Sequence, residues 1–202
     1  SSLIEFTYHN NCNKDILKQV SKCCKELKKL DLYNSTSIGD SSIEFILKFK
    51  FLEHIDLFGT YINKKGMTEL LQKLAANKHD GNASQLKSFG CSNLTSRQFE
   101  ILISNFPQLT SLKFAKNTCC AFDLLENLKF LKSFSITDII SIDLVKILDT
   151  VGSQLILLHF GCNQQFDLLK LAVKCVALEC LHINSVTRNI HVPTVTEMKK
   201  LQ

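Results

Sequence analysis

Glycine and proline are scarce, with seven and two in 202 residues. A sandwich or barrel built on many Gly/Pro turns is therefore not expected. Long apolar runs are missing too. The richest stretch, Phe166 to Leu181, is broken by Asp167, Lys170, Lys174 and Glu179. No segment reaches the ~18 uninterrupted apolar residues of a membrane span, so no membrane partner is expected. Arginine is nearly absent: Arg97 and Arg188 stand alone among 24 basic residues. Proteins that read nucleic acid cluster their basic residues and use arginine for bidentate contacts. Here lysines such as Lys14, Lys18, Lys22 and Lys25 fall at helical spacing, as on a solvated helix face, and no nucleic-acid partner is expected. The first residues, Ser1-Ser2-Leu3-Ile4-Glu5, form neither a signal peptide nor a transit peptide. No Gly-rich phosphate loop and no nucleophile with a nameable base, orienting group and oxyanion donor are found. The expectation is a protein that is not an enzyme and takes no cofactor.

What is present is globular: 45% hydrophobic and 21% charged residues, with net charge +5 and mean hydropathy +0.06. Nine cysteines are many. Their number is odd, and Cys23-Cys24 and Cys119-Cys120 are adjacent pairs that rarely bridge to each other. They are expected as small buried residues in a reducing compartment, cytoplasmic and/or nuclear. Three glycosylation sequons, at Asn34, Asn82 and Asn93, are about what chance supplies in a chain this rich in Asn, Ser and Thr.

The dominant signal is repetition. The motif L-x-x-L-x-L, with Phe, Ile, Tyr or Cys allowed at the later apolar positions, begins at Leu3, Leu27, Leu52, Leu86, Leu109, Leu131, Leu155 and Leu178. The steps are 24, 25, 34, 23, 22, 24 and 23 residues. Alternating apolar residues make a short strand with one buried face. Helical apolar spacing fills the intervals. Asp40 is placed to cap a helix burying Ile43, Ile46 and Leu47. Ser96 is placed to cap one burying Phe99, Leu102 and Ile103, and Asp143 to open one carrying Val145, Ile147 and Leu148. A single strand–helix unit cannot cover its apolar side, so units stack, with a parallel sheet on the concave side and helices on the convex side. Asn11, Asn117 and Asn163, at the ninth motif position, are placed to satisfy backbone groups at the bend, and Ser35 and Thr60 to do so more weakly. Leu94, Ile139 and Val186 cannot. The long step implies an insertion at about 75–85. Met67, Leu70, Leu71 and Leu74 suggest a lengthened helix before it, and Asp80-Gly81-Asn82 a turn within it.

This pattern resembles the leucine-rich repeat. Its second unit, from Cys23-Cys24 through Leu27, Leu30, Leu32, Ile38 and Asp40 to Ile43, resembles the cysteine-containing subclass of F-box leucine-rich-repeat proteins. The later units are looser, and only the eighth again carries a cysteine just upstream, Cys175. The resemblance implies one α/β leucine-rich-repeat solenoid over residues 1–202, eight repeats long. Leu201, 23 residues after Leu178, is in register for a truncated ninth. Terminal repeats need covering, so more chain or a partner is expected at the ends. The resemblance also implies a non-catalytic role, substrate recognition within an SCF-type ubiquitin ligase, with a Skp adaptor reached through an F-box outside this chain. The alternative is a repeat-only adaptor or effector with no ligase link.

The repeat register assigns the third, fifth, seventh and eighth motif positions to the open face. Lys29, Asp31, Tyr33, His54, Asp56 and Phe58 then lie together on the concave face, and this cluster is the expected site for a protein partner. Asp31 and Asp56 fall in one column ~4.8 Å apart, a repulsion that Lys29, His54 or a basic partner would relieve. His9, His159 and His182 are secondary candidates; with His54, four of the six histidines face outward. Next to this cluster, Ser88, Gly90, Ser92, Ser111, Ser133 and Ser135 offer only small groups. His159, Cys162, Cys180 and His182 have the composition of a zinc site, but flat sheet positions rarely converge tetrahedrally, and no metal is expected.

Overall fold

A computed structural model describes residues 2–76, 85–115, 121–162 and 167–185. Every motif leucine is followed, two residues later, by the start of a strand. The strands are β1 (Glu5–Thr7), β2 (Lys29–Asp31), β3 (His54–Leu57), β4 (Ser88–Asn93), β5 (Ser111–Ala115), β6 (Ser133–Ile139), β7 (Leu157–Cys162) and β8 (Cys180–Ser185). They form one eight-stranded sheet in sequence order, and every pairing is parallel. With its helices on one side, this is an α/β leucine-rich-repeat solenoid.

The alternation explains the core. The first, fourth and sixth motif positions face inward and are buried in the six inner repeats, as in Leu27-Leu30-Leu32, Leu109-Leu112-Phe114 and Leu155-Leu158-Phe160. Each such side chain contributes ~1.5–3 kcal/mol relative to exposure. Phe99, Phe114, Phe122 and Phe134 pack ring against ring along this core. In the first and eighth described repeats the same positions are partly open: Leu3, Tyr8 and Leu181 are exposed.

The convex segments are uneven. They are α1 (Lys14–Cys23), α2 (Ile43–Ile46, led by a tight 3-10 turn), α3 (Lys64–Ala76), α4 (Ser96–Asn105), a 3-10 segment (Phe122–Asn127), α5 (Ser141–Val151) and α6 (Leu168–Lys174). At 13 residues, α3 is the lengthened helix expected before the insertion, and it buries Met67, Leu70 and Leu71. Residues 77–84 of the insertion, Asn117, Asn163, Val186 and the expected ninth repeat lie outside the described residues.

Several local expectations are corrected. Asp40 does not cap its own helix. Its Oδ1 accepts from the Asn63 N–H of the next repeat, and Asn63 Oδ1 in turn accepts from the Lys65 and Gly66 N–H groups at the start of α3. A short carboxylate reaches the neighbouring turn as easily as its own. The cap of α4 is Thr95, one residue before Ser96, in a reciprocal capping box with Gln98. The helix α5 opens at Ser141, two residues ahead of Asp143. Asn11 is exposed, and the bend of the first repeats is closed by buried Ser35 instead. Its Oγ accepts from the Cys12 N–H and donates to the Tyr8 carbonyl, tying two repeats together.

Burial of the thiols is as expected for small core residues: Cys12, Cys91 and Cys175 are buried, while Cys23 is exposed and Cys180 partly so. Cys162 is a correction. It was assigned to the open face, but only 3% of it is exposed. The ladder between β6 and β7 shifts register between Ile136 and Ile139, which then pairs with Cys162, and the residue turns inward.

Candidate concave binding site

The site begins with register. Lys29 pairs with His54, and Asp31 with Asp56, across β2 and β3. Column by column these side chains leave the same face. At the eighth motif position of repeats one, two, three and six the backbone is left-handed: Asn10, Asn34 and Asp138 at φ 69, 57 and 57, and Gly59 at φ 78. After β1, β2 and β3 this residue follows the end of the strand. Asn, Asp and Gly tolerate this region best. The residue just before, at the seventh position, is held above the concave surface. In repeats two and three it is Tyr33 and Phe58.

Each ring is fixed by the aspartate two residues earlier. Asp31 Oδ1 accepts from the Tyr33 N–H at 3.1 Å, and Asp56 Oδ1 accepts from the Phe58 N–H at 2.8 Å. The two rings stack with centroids 5.8 Å apart and planes 16° apart, both half-buried. His9 closes one side. Its ring meets Tyr33 edge-on at 5.7 Å, and its Nε2 lies 3.0 Å from Asp31 Oδ2.

The expected relief of the Asp31–Asp56 repulsion takes a different form. Lys29 turns away to Glu5 at 3.3 Å. His54 is half-buried in the sheet. Burial holds its pKa below the ordinary 6.5, against the opposing pull of Glu53. The cation is Lys113, which stands at the fifth motif position of the fifth repeat, on the open face but outside the expected cluster. It comes from β5, two strands away, and its Nζ donates to Asp56 Oδ2 at 2.9 Å. The same ammonium sits 4.3 Å from the Tyr33 ring centroid and 4.9 Å from that of Phe58. The signal was available: Asp56, Gly90 and Lys113 form one column. Glycine leaves that column open, for a Cβ at Gly90 would lie 2.7 Å from Asp56 Oδ1.

At the strand-start rim, Glu53 is 13% exposed and pairs with Lys28 at 3.2 Å and Lys87 at 2.5 Å. The hydrogen bond from Lys87 is the main cause of its lowered pKa; burial opposes and Lys28 adds to it.

The other histidine candidates form a separate group. His159 Nδ1 lies 3.1 Å from Ser135 Oγ, and its Nε2 lies 2.9 Å from Asn184 Nδ2. With the Asn184 amide as donor, Nε2 is the acceptor and Nδ1 carries the proton to Ser135. Burial, then His182 and Lys113, hold the His159 pKa below its ordinary value. His182 is exposed, packs edge-on against His159 at 6.0 Å, and takes Cys180 Sγ at 3.2 Å. Cys162 is absent from this group because it faces the core. Among the described residues, no three His, Cys, Asp or Glu side chains are grouped to hold a metal ion. Nor is any described helix long and apolar enough to cross a membrane.

No protein-family model matches the chain, and no curated protein matches it. Among solved structures, it is similar to the crystal structure of an internalin (inlF) from Listeria monocytogenes str. 4b F2365. The identity is 16% and the TM-score 0.46, over 99% of this chain and 58% of that one. The chain thus spans little more than half the length of that protein.

Proposed function

We propose that this chain is a non-catalytic protein-interaction solenoid whose partner docks on the N-terminal half of the concave sheet. One observation carries the reading: two stacked, partly exposed aromatic rings stand among fixed charges where a solvated sheet face needs only polar side chains. Aromatics of this kind dominate binding energetics where a partner excludes water from them. The polar pairs elsewhere on the face support a binding role rather than a catalytic one. Ser135 and His159 lie mid-sheet, where the ladders of β6, β7 and β8 consume the backbone N–H groups that an oxyanion would need.

The finer role in this proposal is substrate recognition for an SCF-type ubiquitin ligase, with the Skp adaptor bound through an F-box outside this chain. Its support is the second repeat, Cys24 to Ile43. The alternative is a repeat-only adaptor or effector, supported by the looser later repeats. In either role the working compartment is cytoplasmic and/or nuclear, in keeping with the buried thiols of Cys12, Cys91 and Cys175.

The test is a photocrosslinking amino acid placed at Phe58, and at Glu69 on α3 as a convex control, in the protein expressed in its own cells. A defined protein adduct from position 58 and none from position 69 is expected. Equal labelling from both sites removes the concave assignment. Co-purification of a Skp adaptor with the same protein separates the ligase role from the adaptor role.

A further inference from the structure

The ammonium of Lys113 is bound as a ligand would be bound. It has one carboxylate oxygen at 2.9 Å and two aromatic faces at 4.3 and 4.9 Å. Those ring distances lie inside the ~6 Å reach of a cation–π contact. The seat is built by β2 and β3, whereas its occupant arrives from β5 over the gap at Gly90. Its occupant is also shallowly held: the Lys113 side chain is 32% exposed and that of Asp56 25%. Holding so long a side chain in one arrangement costs conformational entropy, which weakens such pairs. If it leaves the seat, the serine surface of Ser88, Ser111 and Ser135 beside it gives it room.

Charge points the same way. Asp31 and Asp56 place two carboxylates here, and Lys113 supplies one positive charge. Lys29 is taken up by Glu5, so on the formal count the cluster keeps one negative charge in excess. The whole chain carries +5. A locally negative, aromatic-lined spot on a basic protein is complementary to a positive group, and the surrounding charge disfavours indiscriminate binding of basic chains.

We propose that Tyr33, Phe58 and Asp56 form a receptor site for a cationic side chain, arginine or lysine, of the protein partner, and that Lys113 is the chain's own occupant, displaced on binding. This rests on the concave docking reading and adds to it the chemistry of the partner's anchor.

The probe is n-butylguanidinium, with n-butanol as the neutral control, titrated at constant ionic strength into the isotope-labelled 202-residue chain. Ring resonances of Tyr33 and Phe58 and the Cε resonance of Lys113 are followed by NMR. In the wild type, the guanidinium is expected to shift both rings and move Lys113 toward its solvated position. Lys113→Met should bind it at least tenfold more tightly, Lys113→Gln likewise, and Lys113→Met with Asp56→Asn should lose the gain. Wild-type ring shifts without movement of Lys113, equal affinity in the Lys113 variants, or equal binding of n-butanol overturns the proposal. A position-58 crosslink with no gain in guanidinium binding leaves the docking reading standing and removes the cation site. A guanidinium response with no crosslink does the reverse.

Discussion

Asp56 and Lys113 are two strands apart, and their side chains meet at 2.9 Å across the residue that lies between them, Gly90. A salt bridge spanning a whole repeat is possible only because that residue has no side chain. A methyl group at Gly90 would touch the carboxylate at 2.7 Å, so the carboxylate has to turn. Gly90→Ala should therefore break the pair while leaving the fold intact, since alanine in a strand otherwise gains ~0.5–1 kcal/mol over glycine. A double-mutant cycle of Asp56→Asn and Lys113→Met should give a coupling of ~0.5–1 kcal/mol for this partly exposed pair. Repeated in the Gly90→Ala background, the coupling should fall to near zero. An unchanged coupling would show that the glycine gap is incidental.

Truncating the stacked rings should separate binding from stability. Tyr33→Ala or Phe58→Ala is expected to weaken partner affinity at least tenfold, about 1.4 kcal/mol. Loss of the stack should cost ~1 kcal/mol in folding. Ser111→Ala and Ser133→Ala should be neutral for affinity. Calorimetric titration with the captured partner, beside denaturant melts, reads both quantities. Affinity lost only in the serine variants would move the footprint toward the middle of the sheet.

The turn after β3 has no slack. Gly59 sits at φ 78, and a Cβ there would clash with Asn34 Oδ1 and lie 2.9 Å from Asn34 Cα. The second contact is backbone and cannot swing away. Gly59→Ala should cost ~2 kcal/mol or more. Asn34→Gly, at φ 57, should stay within ~1 kcal/mol of wild type, because glycine accepts that region. Urea denaturation of the two variants checks the order, and a tolerated Gly59→Ala would contradict the turn geometry.

Acid should lower the stability of the chain in two stages. Burial keeps His54 and His159 neutral at pH values where the unfolded chain protonates them, so their contribution is lost as pH falls below about 6.5. Glu53 is held ionised, chiefly by Lys87. Its contribution is complete above about 4.5 and is lost as pH drops through its lowered folded value. Denaturation midpoints measured from pH 7.5 down to 3.5 should show both stages. His54→Gln should flatten the upper one and Glu53→Gln the lower. An upper stage unchanged in His54→Gln and in the corresponding His159 variant would assign it to other groups.

The array was legible because its signal is redundant. Each motif leucine reports the same geometry, so the strand starts, the inward triplets and the pairing of Asp31 with Asp56 follow from spacing alone. What was illegible depends on choices between near-equal local partners. Thr95 and Ser96 can both cap a helix, and only backbone placement decides. Asp40 has two turns within reach. Cys162 follows a register shift that one-dimensional spacing cannot show. Lys113 was missed for a different reason: the expected cluster joined only the adjacent second and third repeats, whereas this side chain reaches two strands along its column through the absence of another.

The burial of the thiols also partitions the chain's reactivity. Burial pushes Cys12 and Cys175 up to about 11 and Cys91 further still, so at neutral pH none of the three presents the thiolate that attacks an electrophile. Cys23, exposed at the end of α1, and Cys180, partly open beside His182 on the concave sheet, are accessible to reagent. Among the described residues, brief maleimide treatment of a folded variant lacking Cys119 and Cys120 thus addresses one thiol on each surface, Cys23 and Cys180. Dyes placed there would report on the two faces separately, with the buried thiols left unlabelled.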